Sequence, residues 1–477
     1  MTNIAFSQLI LQNFPYEPTD NQAATIRHLS EFLLHGEPDS IFLIKGYAGT
    51  GKTSLVGALV KTLSSLHAPT VLLAPTGRAA KVFSLYAGKS AFTIHRKIYR
   101  QKAFNNEPAD FLLAENKLKN TIFIVDEASM IANSATDSII FGSGRLLDDL
   151  VKYVYAGENC RLIIMGDEAQ LPPVQLLESP ALQRDNLAGY NLKVETTELT
   201  QIIRQKKDSA ILYNATLLRN ALRKGNVAAY PQLNLNIGTD IARISGADIL
   251  EELSNAYARD GIDQTMTIVR TNKRANQYNN AIRSRVFFHE EELSSGDRLM
   301  ITRNNYTQAT DNPETDFFAN GEIIHVVKVK KTINLYGFRF ADVIVRFDDY
   351  DFETDIRILL DTLQAETPTL SKELNDKLFY SVMEDYADIT RKAERIKKIK
   401  ADLNYNAVQV KYAYAITCHK AQGGQWMNIF LDPGYLTETM MGEDFYRWLY
   451  TAFTRAAKRL WLINISTEFV KESEAKN

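Results

Sequence analysis

The sequence predicts an α/β protein with two alternating strand–helix regions, the second interrupted by a β module that carries a helical insertion. Three observations lead there. Short apolar runs at 41–44, 71–74, 122–125 and 162–165 alternate with amphipathic stretches, and each run ends in a polar or glycine-bearing segment. Such runs, separated by helical stretches, fit buried strands of a parallel sheet. A second alternation starts near Asp208, with a helical stretch at 209–223, a strand at 266–269 and a helix at 273–285. The character then changes. Residues 323–330 and 338–347 read as strands around a turn at Tyr336-Gly337, and 369–403 reads as helical and strongly charged. The alternation resumes at 412–417 and continues with strands at 429–431 and 460–463.

The 477 residues are 45% apolar and 23% charged, an ordinary globular composition that excludes a disordered chain. At roughly 150 residues per domain the length fits about three domains. Lys plus Arg total 55 against 57 Asp plus Glu, a net charge of −2. That balance excludes a uniformly basic coat, but not a local basic groove. Two distant cysteines, Cys160 and Cys418, exclude a disulfide framework and a four-cysteine zinc site. The seven histidines show no spacing that fits a metal cluster. The first 20 residues lack a secretory pattern, and no apolar run reaches the length of a membrane span. The expectation is a soluble, cytoplasmic protein.

The strongest chemical signal is Gly46-Tyr47-Ala48-Gly49-Thr50-Gly51-Lys52-Thr53, which follows the first apolar run and opens a helical stretch. This is the context of a phosphate-binding loop. Gly46, Gly49 and Gly51 let backbone N–H groups cradle phosphate oxygens, and the helix N-terminus adds positive potential. Lys52 is placed to reach the β and γ phosphates and Thr53 to hold Mg²⁺, so ATP and Mg²⁺ are the expected cofactors. The run at 122–125 delivers Asp126 and Glu127. Taken alone, such a pair also fits a solvated helix start. Beside a phosphate loop, Asp126 suits the metal shell and Glu127 suits proton acceptance from an attacking water. The run at 162–165 leads into Gly166-Asp167-Glu168-Ala169-Gln170-Leu171-Pro172-Pro173, where the amide of Gln170 can report the γ-phosphate.

With these motifs the chain resembles a superfamily 1 helicase of the RecD/Dda-like branch, which moves 5′→3′. The resemblance covers most of the chain. Gln22, in Pro18-Thr19-Asp20-Asn21-Gln22, matches the family glutamine that reads adenine. The stretch through Pro75-Thr76-Gly77-Arg78 is similar to the segment under single-stranded DNA, and Thr93-Ile94-His95-Arg96 resembles the next DNA-contacting motif. Gln201-Ile202-Ile203-Arg204-Gln205 matches the motif whose arginine, here Arg204, touches the γ-phosphate. Thr417-Cys418-His419-Lys420-Ala421-Gln422-Gly423 matches the DNA and coupling motif of the second domain. Tyr450-Thr451-Ala452-Phe453-Thr454-Arg455 matches the motif supplying the arginine finger, Arg455. The implied strand contacts are Thr76, Arg78, His95, Thr417 and His419; without the motifs, both histidines also read as structural.

Two departures stand out. Gln425 occupies a position that is usually acidic in the family, and the charged stretch 369–403 matches no expected part of a minimal member.

The resemblance implies two RecA-like P-loop domains with parallel sheets. The first spans 1–205 with a small hairpin insertion at about 96–120, where Phe104 is a candidate duplex wedge or an ordinary loop aromatic. The second spans 206–296 and 408–477. An SH3-like β module at 297–407 bears the insertion at about 369–403, with Asn320-Gly321-Glu322 matching its turn. The basic stretch 391–400 holds six basic residues and one acidic, a local charge of +5 that reads first as a solvated face.

The implied activity is ATP-driven translocation on single-stranded DNA by a monomer, with duplex junctions and repair or recombination proteins as partners. An RNA helicase and a nucleic-acid-stimulated ATPase subunit are the alternative readings. Catalysis is expected from Lys52, Glu127, Gln170, Arg204 and Arg455, with arginines reaching the γ-phosphate from both sides of a cleft.

Overall fold

The computed structural model describes residues 2–101, 111–133, 142–201, 209–228, 230–305, 307–308, 317–347 and 352–471. Helices α1 (Asn3–Gln12) and α2 (Asp20–His35) lead into β1 (Ser40–Gly46), and α3 (Lys52–Ser65) follows the glycine loop. Next come β2 (Thr70–Ala74), α4 (Gly77–Ala87), β3 (Ala91–Thr93) and α5 (Ile94–Ile98). Strands β4 (Tyr99–Gln101) and β5 (Phe111–Leu113) form a separate antiparallel pair. The unit finishes with β6 (Ile122–Val125), α6 (Leu146–Tyr155), β7 (Arg161–Gly166), α7 (Arg184–Ala188) and β8 (Lys193–Leu199). Its six-stranded sheet has the order β3-β2-β6-β7-β1-β8, with every pairing parallel.

β1 shows why the apolar runs are unbroken. Ile41 and Leu43 face one core with Phe123, Val125 and Leu162, while Phe42 and Ile44 face another with Phe32, Leu55 and Ile163. A parallel strand covered on both faces has no polar side to alternate with. The sheet edges follow a different rule. β8 reads Lys-Val-Glu-Thr-Thr-Glu-Leu and β3 has three residues, so neither appears among the apolar runs of the sequence.

The second unit begins with α8 (Ala210–Lys224), β9 (Ile241–Ile244), α9 (Ile249–Asp260), β10 (Thr265–Val269) and α10 (Asn272–Arg285). The chain then builds a closed five-stranded barrel from β11 (Arg298–Ile301), β12 (Ile323–Leu335), β13 (Phe338–Phe347), β14 (Glu353–Leu359) and β15 (Val408–Tyr412). Between β14 and β15 lie α11 (Lys372–Glu384) and α12 (Lys392–Ala401). The chain returns through β16 (Ala415–Thr417), α13 (Cys418–Ala421), β17 (Trp426–Asp432), α14 (Glu443–Phe453) and β18 (Ala456–Ile463). These complete a parallel sheet of order β16-β10-β17-β18-β9.

The charged stretch predicted as helical at 369–403 is two helices rather than one. Leu378, Val382 and Ile399 close over Phe338 and Phe340 of the β12–β13 hairpin, so the chain must fold back between them. Arg395 is used in that turn, donating to the Ile389 carbonyl at 2.9 Å. Arg391, Lys397 and Lys398 are exposed.

One apolar cluster crosses between the two parallel sheets. Tyr47, Ala169 and Leu171 of the first unit pack with Ile211, Leu218, Trp448 and Leu449 of the second. No helix among the described residues is long and apolar enough to cross a membrane.

Candidate nucleotide cleft and nucleic-acid groove

β1 runs into Gly46, and the loop turns through Gly49 (φ 77°) and Gly51 (φ 82°), left-handed conformations that favour glycine. A β-carbon on Gly46 would lie 2.9 Å from Lys52 Cγ and 3.1 Å from Leu199 Cβ. The N-terminus of α3, a helix of 14 residues, carries no side-chain cap, so its first N–H groups face the loop. The Lys52 ammonium donates to the carbonyls of Gly46 and Tyr47.

Across the loop, β6 delivers the two carboxylates. Asp126 Oδ1 accepts the Glu127 N–H at 2.7 Å, and Oδ2 accepts the Tyr86 hydroxyl. Glu127 sits at φ 51°, a conformation uncommon outside glycine and one that concentrates at functional sites. Burial pushes the pKa of both carboxyls up, against the opposing pull of Lys52 and Arg455. For Glu127 that direction suits proton acceptance near neutral pH.

Arg455 comes from the second unit, between α14 and β18. Its guanidinium is held by the carbonyls of Thr451 (3.2 Å) and Gly424 (3.2 Å) and by Thr454 Oγ1 (3.1 Å). Nη1 lies 3.9 Å from Glu127 Oε1. Gln170 is buried, and its Oε1 has no hydrogen-bond partner among the described residues. Lys52, Thr53, Asp126, Glu127, Gln170, Gln425 and Arg455 wall one cleft of about 410 Å³, with half-exposed Tyr16 also lining it.

The two units are stitched together beside this cleft. The buried Tyr450 hydroxyl donates to Asp167 Oδ2 at 2.5 Å and accepts the Ala48 N–H at 2.9 Å. Thr451 Oγ1 accepts the Leu171 N–H at 2.9 Å, and Gln422 donates to the Leu171 carbonyl at 2.7 Å. Helix α14, which precedes Arg455, is therefore indexed against the loop that holds Gln170.

A second hollow, of about 410 Å³, is lined by all three units. Thr76, Arg78, Thr93, His95, Pro173 and Val174 come from the first, Asn304, Phe317 and Asn320 from the barrel segment, and His419, Lys420 and Gln422 from the second. Val174, His419 and Lys420 also border an adjoining hollow of about 510 Å³ with Arg270, Thr271, Lys273, Lys411 and Thr417. Together they form one groove. Four threonines at its walls, Thr76, Thr93, Thr271 and Thr417, are helix N-cap residues. Helix starts directed at a groove suit phosphate oxygens.

Comparisons with known proteins find matches toward both ends of the chain. A family model described as an AAA domain matches residues 18–235, and one described as a UvrD-like helicase C-terminal domain matches residues 412–463. The chain is thus similar to superfamily 1 helicases of the RecD/Dda-like group. It is 25% identical over 453 residues to the ATP-dependent RecD2 DNA helicase of Deinococcus radiodurans, across 92% of this chain and 49% of that protein. It is 25% identical over 324 residues to the ATP-dependent DNA helicase dda of Enterobacteria phage T4, across 65% and 68%. Uncharacterized protein R530 of Acanthamoeba polyphaga mimivirus is 24% identical over 509 residues, across 92% and 98%. The chain thus spans nearly all of the mimivirus relative and about half the length of RecD2.

The family motifs fall on the two hollows with three differences from expectation. Gln22 does not line the cleft. It is buried in a capping box on α2, where its Oε1 accepts the Thr19 N–H at 2.9 Å and its Nε2 donates to the Thr50 carbonyl at 2.8 Å. In this structure its amide supports the phosphate loop through the Thr50 carbonyl. His95 and His419 line the groove, but burial lowers the pKa of both, His95 to about 4, so both rings are neutral near pH 7. Arg78 also lines the groove while its guanidinium stacks 4.1 Å over Trp426 and reaches the Gln425 carbonyl at 3.4 Å. Arg204 and Phe104 lie outside the described residues.

Several groove residues carry no motif in the sequence: Arg270, Thr271, Lys273 and Lys411. A signal for two of them is nonetheless present. Arg270-Thr271 follow β10 just as Pro75-Thr76 follow β2, and chemistry in parallel sheets sits at strand carboxyl ends. Burial lowers the pKa of both Lys411 and Lys420 to about 8. Lys420 Nζ also donates to Asn320 Oδ1 at 2.6 Å, tying the second unit to the barrel segment.

Proposed function

We propose that this chain hydrolyses ATP in the cleft between its two α/β units and uses the resulting opening and closing to move along single-stranded DNA. One observation carries the reading: the units that wall the nucleotide cleft also wall the groove, so a change in their spacing alters both sites. Residues 1–205 act as one body, and 206–296 with 408–477 as the other, with 297–407 riding on the second.

Lys52 and the α3 N-terminus hold the phosphates. Glu127 takes the proton of the attacking water. Arg455, and Arg204 by family resemblance, stabilise the charge that spreads over the γ oxygens. Gln170, with an unpaired buried oxygen, lies between the phosphate loop and the stitched α14 and reports the γ-phosphate. The Thr53 hydroxyl and Asp126 carboxylate form a hard oxygen set beside the phosphate site, which fits Mg²⁺ held jointly with nucleotide phosphates. The bound ion supplies charge neutralisation. Thr76, Thr417 and the lysines contact strand phosphates, while His95 and His419 contact bases or sugars. DNA as substrate, and 5′→3′ polarity, follow the named relatives and the branch.

The test is ATP hydrolysis with no nucleic acid, with single-stranded DNA and with single-stranded RNA of equal length, using Lys52→Ala as the contamination control. Stimulation by DNA followed by unwinding of 5′-tailed but not 3′-tailed duplexes supports the proposal. Equal stimulation by RNA moves the substrate class, and stimulation by neither favours an ATPase subunit.

A further inference from the structure

We propose that Tyr86 is a positioning residue that fixes the Asp126 carboxylate for the divalent cation accompanying the nucleotide. This rests on the reading of Asp126 as the cation's carboxylate.

Tyr86 belongs to α4, an element whose first turn forms part of the groove and which matched the nucleic-acid side of the sequence pattern. Its phenol nevertheless reaches the nucleotide site. The ring stacks on Phe83 at 5.2 Å with planes 24° apart, and Phe83 is fully buried, which sets the direction of the phenol. The hydroxyl donates to Asp126 Oδ2. The opposite oxygen, Oδ1, takes the Glu127 N–H at 2.7 Å. Two donors on the two oxygens lock the plane of the carboxylate.

The other end of the lever is equally fixed. A β-carbon on Gly57 of α3 would come within 3.1 Å of the Tyr86 carbonyl, so α4 lies directly against the helix that starts at Lys52 and Thr53. Donors behind a metal-binding carboxylate orient it, and their loss costs about 10- to 100-fold in metal affinity. Tyr86 is the donor in that place here, on a helix 11 residues long whose far end carries Gly77 and Arg78 in the groove.

The experiment measures binding, not turnover. Affinity for a fluorescent non-hydrolysable ATP analogue is measured in EDTA and over a Mg²⁺ series for the wild type, Tyr86→Phe and Asp126→Asn. Tyr86→Phe keeps the ring and its stack on Phe83. The expected result is an unchanged affinity in EDTA, an unchanged melting curve, and a Mg²⁺ requirement for tight binding raised about 10-fold. A Mg²⁺ requirement equal to wild type in Tyr86→Phe, with the Mg²⁺-dependent tightening lost in Asp126→Asn, would overturn the inference alone. A wild-type Mg²⁺ response in Asp126→Asn would instead remove Asp126 from the cation site and take the inference with it. If the phenylalanine variant melts early, Tyr86→Met gives the same comparison through an adaptable side chain.

Discussion

In the nucleotide cleft the working charges are buried or half-buried, and two are held by named partners: Asp126 by Tyr86 and Glu127, Arg455 by Thr451, Gly424 and Thr454. The groove on the same two units is assembled differently. Its walls come from loop ends of three units, its histidines are neutral, and two of its cations, Lys411 and Lys420, have lowered pKa values. The difference follows from the chemistry each must serve. Phosphoryl transfer needs fixed dipoles aimed at one developing charge. A strand that must slide needs many modest contacts, none tight enough to trap it. Loss of one cleft residue should therefore stop the reaction, whereas loss of one groove residue should only weaken binding.

The largest expected effect is at Lys52. Lys52→Ala should lower turnover by at least about 10³-fold with a wild-type melting curve, checked by steady-state hydrolysis and thermal denaturation. Arg455→Ala should lower turnover by about 10²- to 10³-fold while nucleotide affinity stays within about threefold; fluorescent-nucleotide titration beside kinetics separates the two.

The groove predictions are smaller. Lys411 and Lys420 carry charge below about pH 8 and lose it as pH rises through that value, while His95, with a pKa near 4, stays neutral across the range. Strand affinity should therefore fall between pH 7 and pH 9, and its salt slope should become shallower by about 1 unit. Lys420→Ala should remove roughly half of that pH effect, as measured by fluorescence anisotropy at several salt concentrations. The smallest effect is expected on α12. Lys398→Glu should leave strand affinity unchanged, because α12 packs on the β12–β13 hairpin and Lys398 faces solvent.

The same contrast governs how far each site is legible in the amino-acid sequence. The cleft is legible because its residues sit in contiguous motifs directly after apolar strands: Gly46 to Thr53 after β1, Asp126-Glu127 after β6, Gln170 after β7. Gln22 is ambiguous because a glutamine three residues after Thr19 satisfies two rules at once, a base-reading motif and the capping box that the structure shows. The groove is half legible. Thr76, Arg78, His95, Thr417 and His419 do line it, but Lys411 lies on a barrel strand, and no spacing rule links it to Thr417. Tyr86 gives no signal at all, since a tyrosine near the end of an amphipathic helix reads as core. Edge strands such as β8 escape because they are polar where the buried strands are not.

The central claim is that cleft and groove are two faces of one moving joint. Its most direct test is the affinity for a single-stranded DNA oligonucleotide without nucleotide, with ADP and with a non-hydrolysable ATP analogue, in wild type and Arg455→Ala. Coupled sites must shift each other's affinity reciprocally. The account predicts a change of at least about fivefold between nucleotide states in the wild type, abolished in Arg455→Ala. Equal affinity in all three states of the wild type would contradict it.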